Sequence, residues 1–497
     1  MFLEANLKSK GKTNNSIKLS NIFLYFISAY FIIISIYYVY KCIKVGQSIP
    51  NIIILFCISV AFVLFMIKAH FRHTNIIPNY IKIILIFLLC FIPKYIFIVN
   101  NLYTPISDFG YYYYSALRFS RRDVFEAGPY MLIVAPNTLA FVSYLGIVLK
   151  LFGEGIVIPI VLNLIYSSLS AVLIYIIAKK CMQESLAFFT SLIFALSPSM
   201  FFYSVNIAIE PLPLFLSLLS IVIYLISSEC KNSIKKYIYC MLCGVITGIA
   251  YIIRANSISF FIGILVCEMI RNKNNFTSKL KSLLALIIPF IFVYALYKIY
   301  QNTIFKIDMP PAIGWALFEG LDIKTYGTWS AENRSVLFEL IDTMPPNQVQ
   351  PALLKLAIER ISSYNATQLF DLFLGKGINT WIINSYPSII LYYDGISKQI
   401  QTISPYLLSI LQVPYVVIFV SYIISNTLII YTGQKVKYNN YSNIFLVSIV
   451  FTILVHSIMT SIDRYHYIIM PVILVLLNYN ISILRNQTNK VQNSLEK

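Results

Sequence analysis

Long apolar runs recur along this chain and restrict it to a fold that lies in a lipid bilayer. Residues 21–40, 81–99 and 156–178 each approach the ~20 residues that an α-helix needs to cross the hydrocarbon core. Only 12% of the residues are charged, whereas a soluble domain carries roughly 25%. The chain lacks the alternating apolar and polar segments of a membrane β-barrel, so we predict an all-α polytopic membrane protein.

The distribution of Lys and Arg predicts the number and direction of the spans, because cytoplasmic loops carry an excess of both. If residues 138–152 lie flat on the outer surface, more than half of the 38 basic residues fall on one side. Most of the 20 acidic residues then lie outside. This arrangement places both termini in the cytoplasm, and it explains the net charge of +18 without a nucleic-acid partner. The predicted twelve spans are 21–40, 51–67, 81–99, 156–178, 185–204, 207–227, 237–253, 255–270, 283–300, 404–431, 442–461 and 466–484.

We expect the chain to divide into four parts. Residues 1–80 hold two extra N-terminal spans, and 81–300 form a transmembrane catalytic module with an external loop at 100–155. Residues 301–403 form a small, mainly helical external cap, and 404–497 form the last spans and a cytoplasmic tail. The eight cysteines are scattered within or beside the spans, so no disulfide framework is implied.

The first candidate for chemistry is the stretch after the third span, where Asp108, Tyr112 and Ser115 share one face of a predicted helix. The first external loop also carries Asp123 and Glu126. Asp108 suits a general base at the membrane surface. The alternative is an N-cap aspartate followed by the tyrosines of an interfacial aromatic belt, which needs no chemistry.

Three further ionisable residues are predicted at outer span ends, where charges near a membrane tend to be functional. Glu210 enters the same outer cavity as Asp108, or it interacts with a helix dipole beside Pro211. Arg254 lies on the face that the charge rule disfavours, which suits a phosphate ligand. Arg464 is a second external arginine, with a local pair to Asp463 as the alternative.

Taken in order, these motifs resemble the GT-C superfamily of polytopic glycosyltransferases, in the branch of protein O-mannosyltransferases and the lipid A aminoarabinose transferase. The family's Asp-x-x-x-Tyr-x-x-x-Ala of the first external loop is matched by Asp108, Tyr112 and Ala116. The remaining matches are Pro136 with Leu151-Phe152-Gly153, Ser197-Pro198 with Glu210, Gly244-x-x-x-Gly248 before Arg254, and Arg464-Tyr465 before Pro471. Spans 21–40 and 51–67 depart from the family as additions before its first span.

The resemblance implies transfer of a sugar from a polyprenyl-phosphate donor to an acceptor hydroxyl on the extracytoplasmic face. Asp108 would act as the general base, and the single displacement would invert the anomeric centre. Glu210 would orient the acceptor, the sugar or a cation. Arg254 and Arg464, with Lys94 or Lys376, would stabilise the departing phosphate. The substrate-binding candidates are Tyr112, Tyr465 and Trp329. Trp315, Trp329 and Trp381 either stack on sugar faces or anchor the protein at the interface.

Several points stay open in the sequence. A lipid, a protein or a cell-wall polymer could accept the sugar, and no metal site is predicted, although a divalent cation is not excluded. The rival functions are a lipid-linked polysaccharide polymerase or ligase and a polytopic transporter or flippase. A transporter usually places polar groups at mid-membrane, where this chain has only Glu268 and His456 inside apolar runs. We interpret His456 as a packing residue in preference to a proton relay.

Overall fold

The computed structural model is an all-α polytopic membrane protein, as the sequence predicts. It describes residues 2–45, 49–68, 77–121, 138–271, 276–305, 310–392, 398–432 and 440–495, and no β-strand occurs within these ranges. The predicted positions Asp123, Glu126 and Pro136 lie outside the described residues. The helices are α1 Phe2–Lys44, α2 Ile49–Lys68, α3 Asn79–Asn100, α4 Ser107–Ser120, α5 Thr138–Phe152, α6 Val157–Cys181, α7 Glu184–Leu196, α8 Pro198–Ser204, α9 Pro211–Glu229, α10 Ser233–Ile253, α11 Ile258–Ile270, α12 Phe276–Phe305, α13 Ile313–Gly320, α14 Ala331–Thr343, α15 Pro346–Ser362, α16 Ala366–Trp381, α17 Lys398–Tyr431, α18 Asn440–Ile458 and α19 His466–Leu495.

The helices account for the predicted spans. In the described part of the chain, nine helices are long and apolar enough to cross a membrane, and the bent pair α7 and α8 makes a tenth. Two shorter apolar helices, Ala255–Ile270 and Ser442–Ile458, occupy the two remaining predicted spans. The break between α7 and α8 falls at Ser197, because a residue before proline is pushed out of the helical region. The two helices meet at 54°.

One end of the helix bundle holds a set of acidic and basic side chains. Lys82 near the start of α3 binds Glu184, and the Tyr175 hydroxyl near the end of α6 donates to the same carboxylate at 3.1 Å. Lys180 binds Glu229 at 2.9 Å. These are the basic clusters that the sequence assigns to the cytoplasm.

The contacts at Glu184 also show that α3 and α6 are antiparallel, so α3 ends and α6 begins at the opposite end of the bundle. Asn163 confirms this, because its side chain near the start of α6 donates to the Asn206 and Ala208 carbonyls in the loop before α9. The chain between α3 and α6 therefore leaves from and returns to the same end. Helix α5 does not carry the chain across the bundle, in agreement with the charge distribution.

Helices α13 to α16 form a cap at that same end. A separate small core joins α13 to α15, built on Trp315, Phe318, Leu337, Val349 and Leu353. The cap contacts the bundle through Gly320, where an added Cβ would lie 2.5 Å from the Ile458 carbonyl oxygen. The four-part division of the chain stays a prediction.

Candidate functional site

The side chain of Arg464 lies at the centre of a charged cluster at the cap end of the bundle. Its Nη1 donates to Asp108 Oδ2 at 2.5 Å and to the Tyr386 hydroxyl at 2.9 Å. Its Nη2 donates to the Tyr112 hydroxyl at 2.8 Å, and its Nε donates to Glu210. We call Asp108, Tyr112, Glu210, Arg254, Tyr386 and Arg464 the Arg464 cluster.

The turn between α18 and α19 directs Arg464 into this cluster. Asp463, Arg464 and Tyr465 form a short 3-10 turn. The Asp463 carboxylate accepts hydrogen bonds from the Ser385 hydroxyl at 3.0 Å and from the Tyr386 backbone N–H at 2.6 Å. The local Asp463–Arg464 pair considered from the sequence is thus wrong: Asp463 holds the segment that carries Tyr386, while Arg464 reaches two other carboxylates.

Asp108 lies in the first turn of α4, but it does not cap the helix. Ile106 occupies the N-cap position, so the N-cap alternative for Asp108 is wrong. The close packing of Gly110 fixes the start of α4, because a Cβ there would lie 2.5 Å from the Pro105 carbonyl oxygen. The Asp108 side chain is 47% exposed, so it is the member of the ion pair that a substrate can reach.

Glu210 connects the two arginines. It is 1% exposed, and its Oε1 accepts from Arg464 and lies 3.4 Å from Arg254 Nη2. Its other oxygen, Oε2, has no hydrogen-bond partner among the described residues. Glu210 directly precedes Pro211 at the start of α9, so it has the predicted position at a helix start. Through their shared partner Arg464 it also lies beside Asp108. One buried carboxylate is shared between two guanidinium groups, and Arg254 is the more exposed of the two at 18%.

Tyr386 is a member of the cluster that sequence reasoning missed. Its hydroxyl accepts from Arg464 and lies 3.4 Å from Asp108 Oδ2, to which it can donate. It follows Asn384 and Ser385 in a 3-10 segment between α16 and α17. The local sequence gives no signal for it, since one tyrosine among 38 in the chain is unremarkable without knowledge of the Asp463 contact.

Tyr465 is held between two flat groups beside the cluster. Its ring stacks on the His456 ring at a centroid distance of 4.6 Å and an interplanar angle of 22°. The Arg254 guanidinium carbon lies 5.3 Å from the centroid of the same ring. Thr460 hydrogen-bonds both sides of this stack, with its carbonyl 3.0 Å from His456 Nδ1 and its hydroxyl 3.0 Å from the Tyr465 hydroxyl. His456 is therefore packed, as predicted, but against a residue of the site.

The structure does not bring Lys94 and Lys376 into the Arg464 cluster. Lys94 is buried among spans, where its ammonium donates to Ser167 at 2.8 Å. Lys376 donates to the Gly320 and Met459 carbonyls, each at 2.5 Å. Both lysines are less than 2% exposed and are bound by protein oxygens, which corrects their prediction as phosphate ligands. Proximity to a span end in sequence does not determine which way a helical side chain points.

Two of the three tryptophans are buried in packed cores. Trp315 is 6% exposed in the cap core, and Trp381 is 1% exposed against Phe31 of α1. These two cannot stack on a sugar without unpacking a core, so that alternative is wrong for them. Trp329 is 54% exposed in the loop between α13 and α14, and its substrate role stays a prediction.

Burial and nearby charges together shift the pKa values of Tyr112 and Arg464. Burial raises the pKa of Tyr112 to about 12, and the nearby Arg464 opposes that rise. Burial by itself lowers the pKa of Arg464, but Glu210, Tyr112, Tyr386 and Asp108 around it hold that pKa well above its ordinary value. Arg464 is accordingly a permanent cation, and Tyr112 stays a neutral hydrogen-bonding group near pH 7.

Carboxylates in this site are bound by arginines. In the portion of the chain that the structure describes, no three His, Cys, Asp or Glu side chains are grouped so as to hold a metal ion. The cluster thus presents one exposed carboxylate, at Asp108, and one partly exposed guanidinium, at Arg254.

Part of the chain matches a known protein family. Residues 138–297 match the dolichyl-phosphate-mannose-protein mannosyltransferase family, which takes in Glu210 and Arg254 but stops short of Asp108 and Arg464. The resemblance to the GT-C glycosyltransferases is confirmed. A membrane glycosyltransferase that uses a lipid-linked sugar is the activity that this match supports.

Solved structures and curated proteins were also compared. ArnT from Cupriavidus metallidurans bound to undecaprenyl phosphate is 10% identical, with 81% of this chain and 77% of that chain covered and a TM-score of 0.32. Its apo state is 12% identical, with 81% and 76% covered and a TM-score of 0.33. No curated protein matches this chain.

Proposed function

We propose that this protein transfers a sugar from a polyprenyl-phosphate donor to an acceptor hydroxyl on the extracytoplasmic face. The observation that carries the proposal is the convergence of two carboxylates and two arginines at one end of the spans. A lipid phosphate that stays in the bilayer needs its partner groups at this depth. The family match adds a donor chemistry of the same kind, since its name specifies a sugar on a dolichyl phosphate.

Asp108 is the proposed general base. Both of its hydrogen bonds among the described residues go to Oδ2, so Oδ1 can accept the proton of an incoming hydroxyl. Arg464 and Tyr386 fix the carboxylate orientation, which a base needs for catalysis. A single displacement with one base inverts the anomeric centre.

Arg254 is the proposed ligand of the departing phosphate. An arginine carries five N–H donors, and Arg464 already uses four of them on Glu210, Asp108, Tyr386 and Tyr112. Arg254 has one ion-pair contact, to Glu210 at 3.4 Å, and is partly exposed. The sequence analysis assigns both arginines to the phosphate, whereas we now give them different roles. Arg464 organises the carboxylates, and Arg254 stabilises the charge that grows on the phosphate. Glu210 holds Arg254 in place.

The test is sugar transfer from radiolabelled polyprenyl-phosphate donors by the full chain in proteoliposomes. Asp108→Asn keeps the shape and removes the base, so we expect transfer to fall by about 100-fold or more. The matched control is Glu154→Gln, which removes a surface carboxylate paired with Arg121 in the same external region and should leave transfer unchanged. Undiminished transfer by Asp108→Asn would remove Asp108 as the base, and movement of the lipid without transfer would favour a flippase.

A further inference from the structure

A cavity of about 230 Å³ lies where α1 meets the cap, apart from the Arg464 cluster. The last turns of α1 contribute Tyr38 and Cys42, Val45 follows directly after the helix, and the cap contributes Tyr326 and Ile378. These walls are mainly apolar or aromatic, and Lys41 and Asn379 are the polar residues of the lining. The cavity therefore suits a hydrocarbon chain better than a sugar or a nucleotide, which would need hydrogen-bonding partners on several sides.

The length of α1 fits a cavity at the depth of lipid headgroups. The membrane-spanning part of α1 runs from Leu19 to Lys44 and has 26 residues. Such a helix is roughly 39 Å long at 1.5 Å per residue, against ~30 Å of hydrocarbon. The excess of roughly 9 Å is enough for the last turns of α1 to reach the headgroup layer. Around the cavity the side chains of Tyr40, Ile43 and Val45 are 55%, 52% and 76% exposed, which is expected of residues that face lipid.

Lys41 supplies a positive charge in the cavity wall. Its ammonium lies 3.2 Å from Asp371 Oδ1 and 3.0 Å from the Tyr326 hydroxyl. The ammonium carries three donors, and these two contacts are the polar ones that it makes among the described residues. The side chain is 34% exposed, so a third, anionic partner can approach from the bilayer surface.

We propose that this cavity binds a diacyl phospholipid of the surrounding leaflet, with one acyl chain between α1 and the cap and the phosphate on Lys41. The proposal does not depend on the transferase activity. It assigns a role to the first of the two spans that depart from the family pattern, since α1 provides both the apolar wall and the cation. A bound chain would fill the gap between α1 and the cap and so stabilise their contact.

The test measures the alkylation rate of Cys42 by N-ethylmaleimide, using the full chain delipidated in detergent and peptide mass spectrometry. Cys42 lines the cavity, whereas Cys57 on α2 is exposed and serves as an internal reference. We expect added dioleoyl phosphatidylglycerol to slow alkylation of Cys42 at least fivefold relative to Cys57. Dioleoylglycerol, which lacks the phosphate, should protect several-fold less.

Two variants and a matched control complete the design. Lys41→Gln should lose most of the phospholipid protection. Lys44→Gln is the matched control, because Lys44 is the next basic residue of the same helix and does not line the cavity. This variant should keep the protection. Val45→Trp places an indole at the rim and should make Cys42 slow to react with or without lipid.

The proposal is overturned if phosphatidylglycerol leaves the Cys42 rate of the wild type unchanged. It is also overturned if dioleoylglycerol protects equally well, because the phosphate would then have no role at Lys41. Protection by undecaprenyl phosphate at a lower concentration than by phosphatidylglycerol would assign the cavity to the donor lipid instead. The wild-type comparison stands even if Lys41→Gln fails to fold.

Discussion

The Arg464 Nη1 atom lies 2.5 Å from Asp108 Oδ2, which joins two residues that are 356 positions apart in the chain. This ion pair connects the first turn of α4 to the turn before the last span. The partners differ in exposure, at 4% for Arg464 and 47% for Asp108. One side of the pair is therefore a fixed internal cation, and the other is an accessible carboxylate.

Replacing Arg464 by lysine tests whether the planar guanidinium group, with its several N–H donors, organises the cluster. An ammonium has three donors and cannot replace the four hydrogen bonds that Arg464 donates, so Glu210 would keep a buried charge with weaker compensation. We expect Arg464→Lys to lower the melting temperature in detergent by several degrees and to reduce sugar transfer by about 100-fold. The control is Arg121→Lys, whose exposed pair with Glu154 contributes little. Wild-type stability and transfer in Arg464→Lys would contradict this account.

Arg254→Gln tests the division of roles between the two arginines. Glutamine can still hydrogen-bond Glu210 but carries no charge for a phosphate. We expect transfer to fall by about 10- to 1000-fold, together with weaker binding of undecaprenyl phosphate in a scintillation proximity assay. Asp108→Asn should retain that binding, so the two variants separate donor binding from proton transfer. Equal phosphate binding by Arg254→Gln and wild type would assign the phosphate to another residue.

Apolar run length and the Lys and Arg distribution were sufficient to predict the helical fold. Each span is a local property of about 20 residues, and the non-crossing α5 followed from charge alone. The convergence of Asp108, Glu210, Arg254 and Arg464 was also predicted, because the charge distribution assigns all four to the same ends of the spans. Their catalytic roles stay predictions.

Side-chain direction was not predictable in the same way. Lys94 and Lys376 are charged residues near external segments, yet each is turned into a packed interior where protein oxygens bind it. Tyr386 enters the site only because Asp463 binds the backbone N–H groups of its segment. Contacts between residues so far apart in the chain depend on tertiary packing, which local sequence patterns do not contain.

His456 is expected to position Tyr465 rather than to transfer a proton. The stacked imidazole supports the Tyr465 ring, which in turn lies against Arg254. His456→Leu should raise the KM for the lipid donor by about 3- to 10-fold with a smaller change in kcat. His456→Phe keeps a flat ring and should restore most of the affinity. A proton relay predicts the reverse, with kcat lost in both variants and no rescue by phenylalanine.

The buried carboxyl of Glu319 in the cap makes stability depend on pH. Burial raises its pKa from 4.5 to about 7, against the opposing attraction of Lys376. A folded-state pKa above the unfolded one means that the folded state binds the proton more tightly. The contribution to stability is therefore fully present below pH 4.5 and is lost as the pH rises through 7.

Glu319→Gln should remove this dependence, because the amide does not titrate. Between pH 4.5 and 7 we expect the melting temperature of the wild type in detergent to fall relative to that of Glu319→Gln. The corresponding loss in the free energy of unfolding is about 3 kcal/mol or less. Glu339→Gln on α14 is the matched control, since Glu339 is an exposed carboxylate of the same cap. Lys376→Met should enlarge the fall, because the cation that favours the Glu319 carboxylate is then gone. Parallel pH profiles for wild type and Glu319→Gln would show that Glu319 is ionised in the folded cap, which would require a partner closer than Lys376.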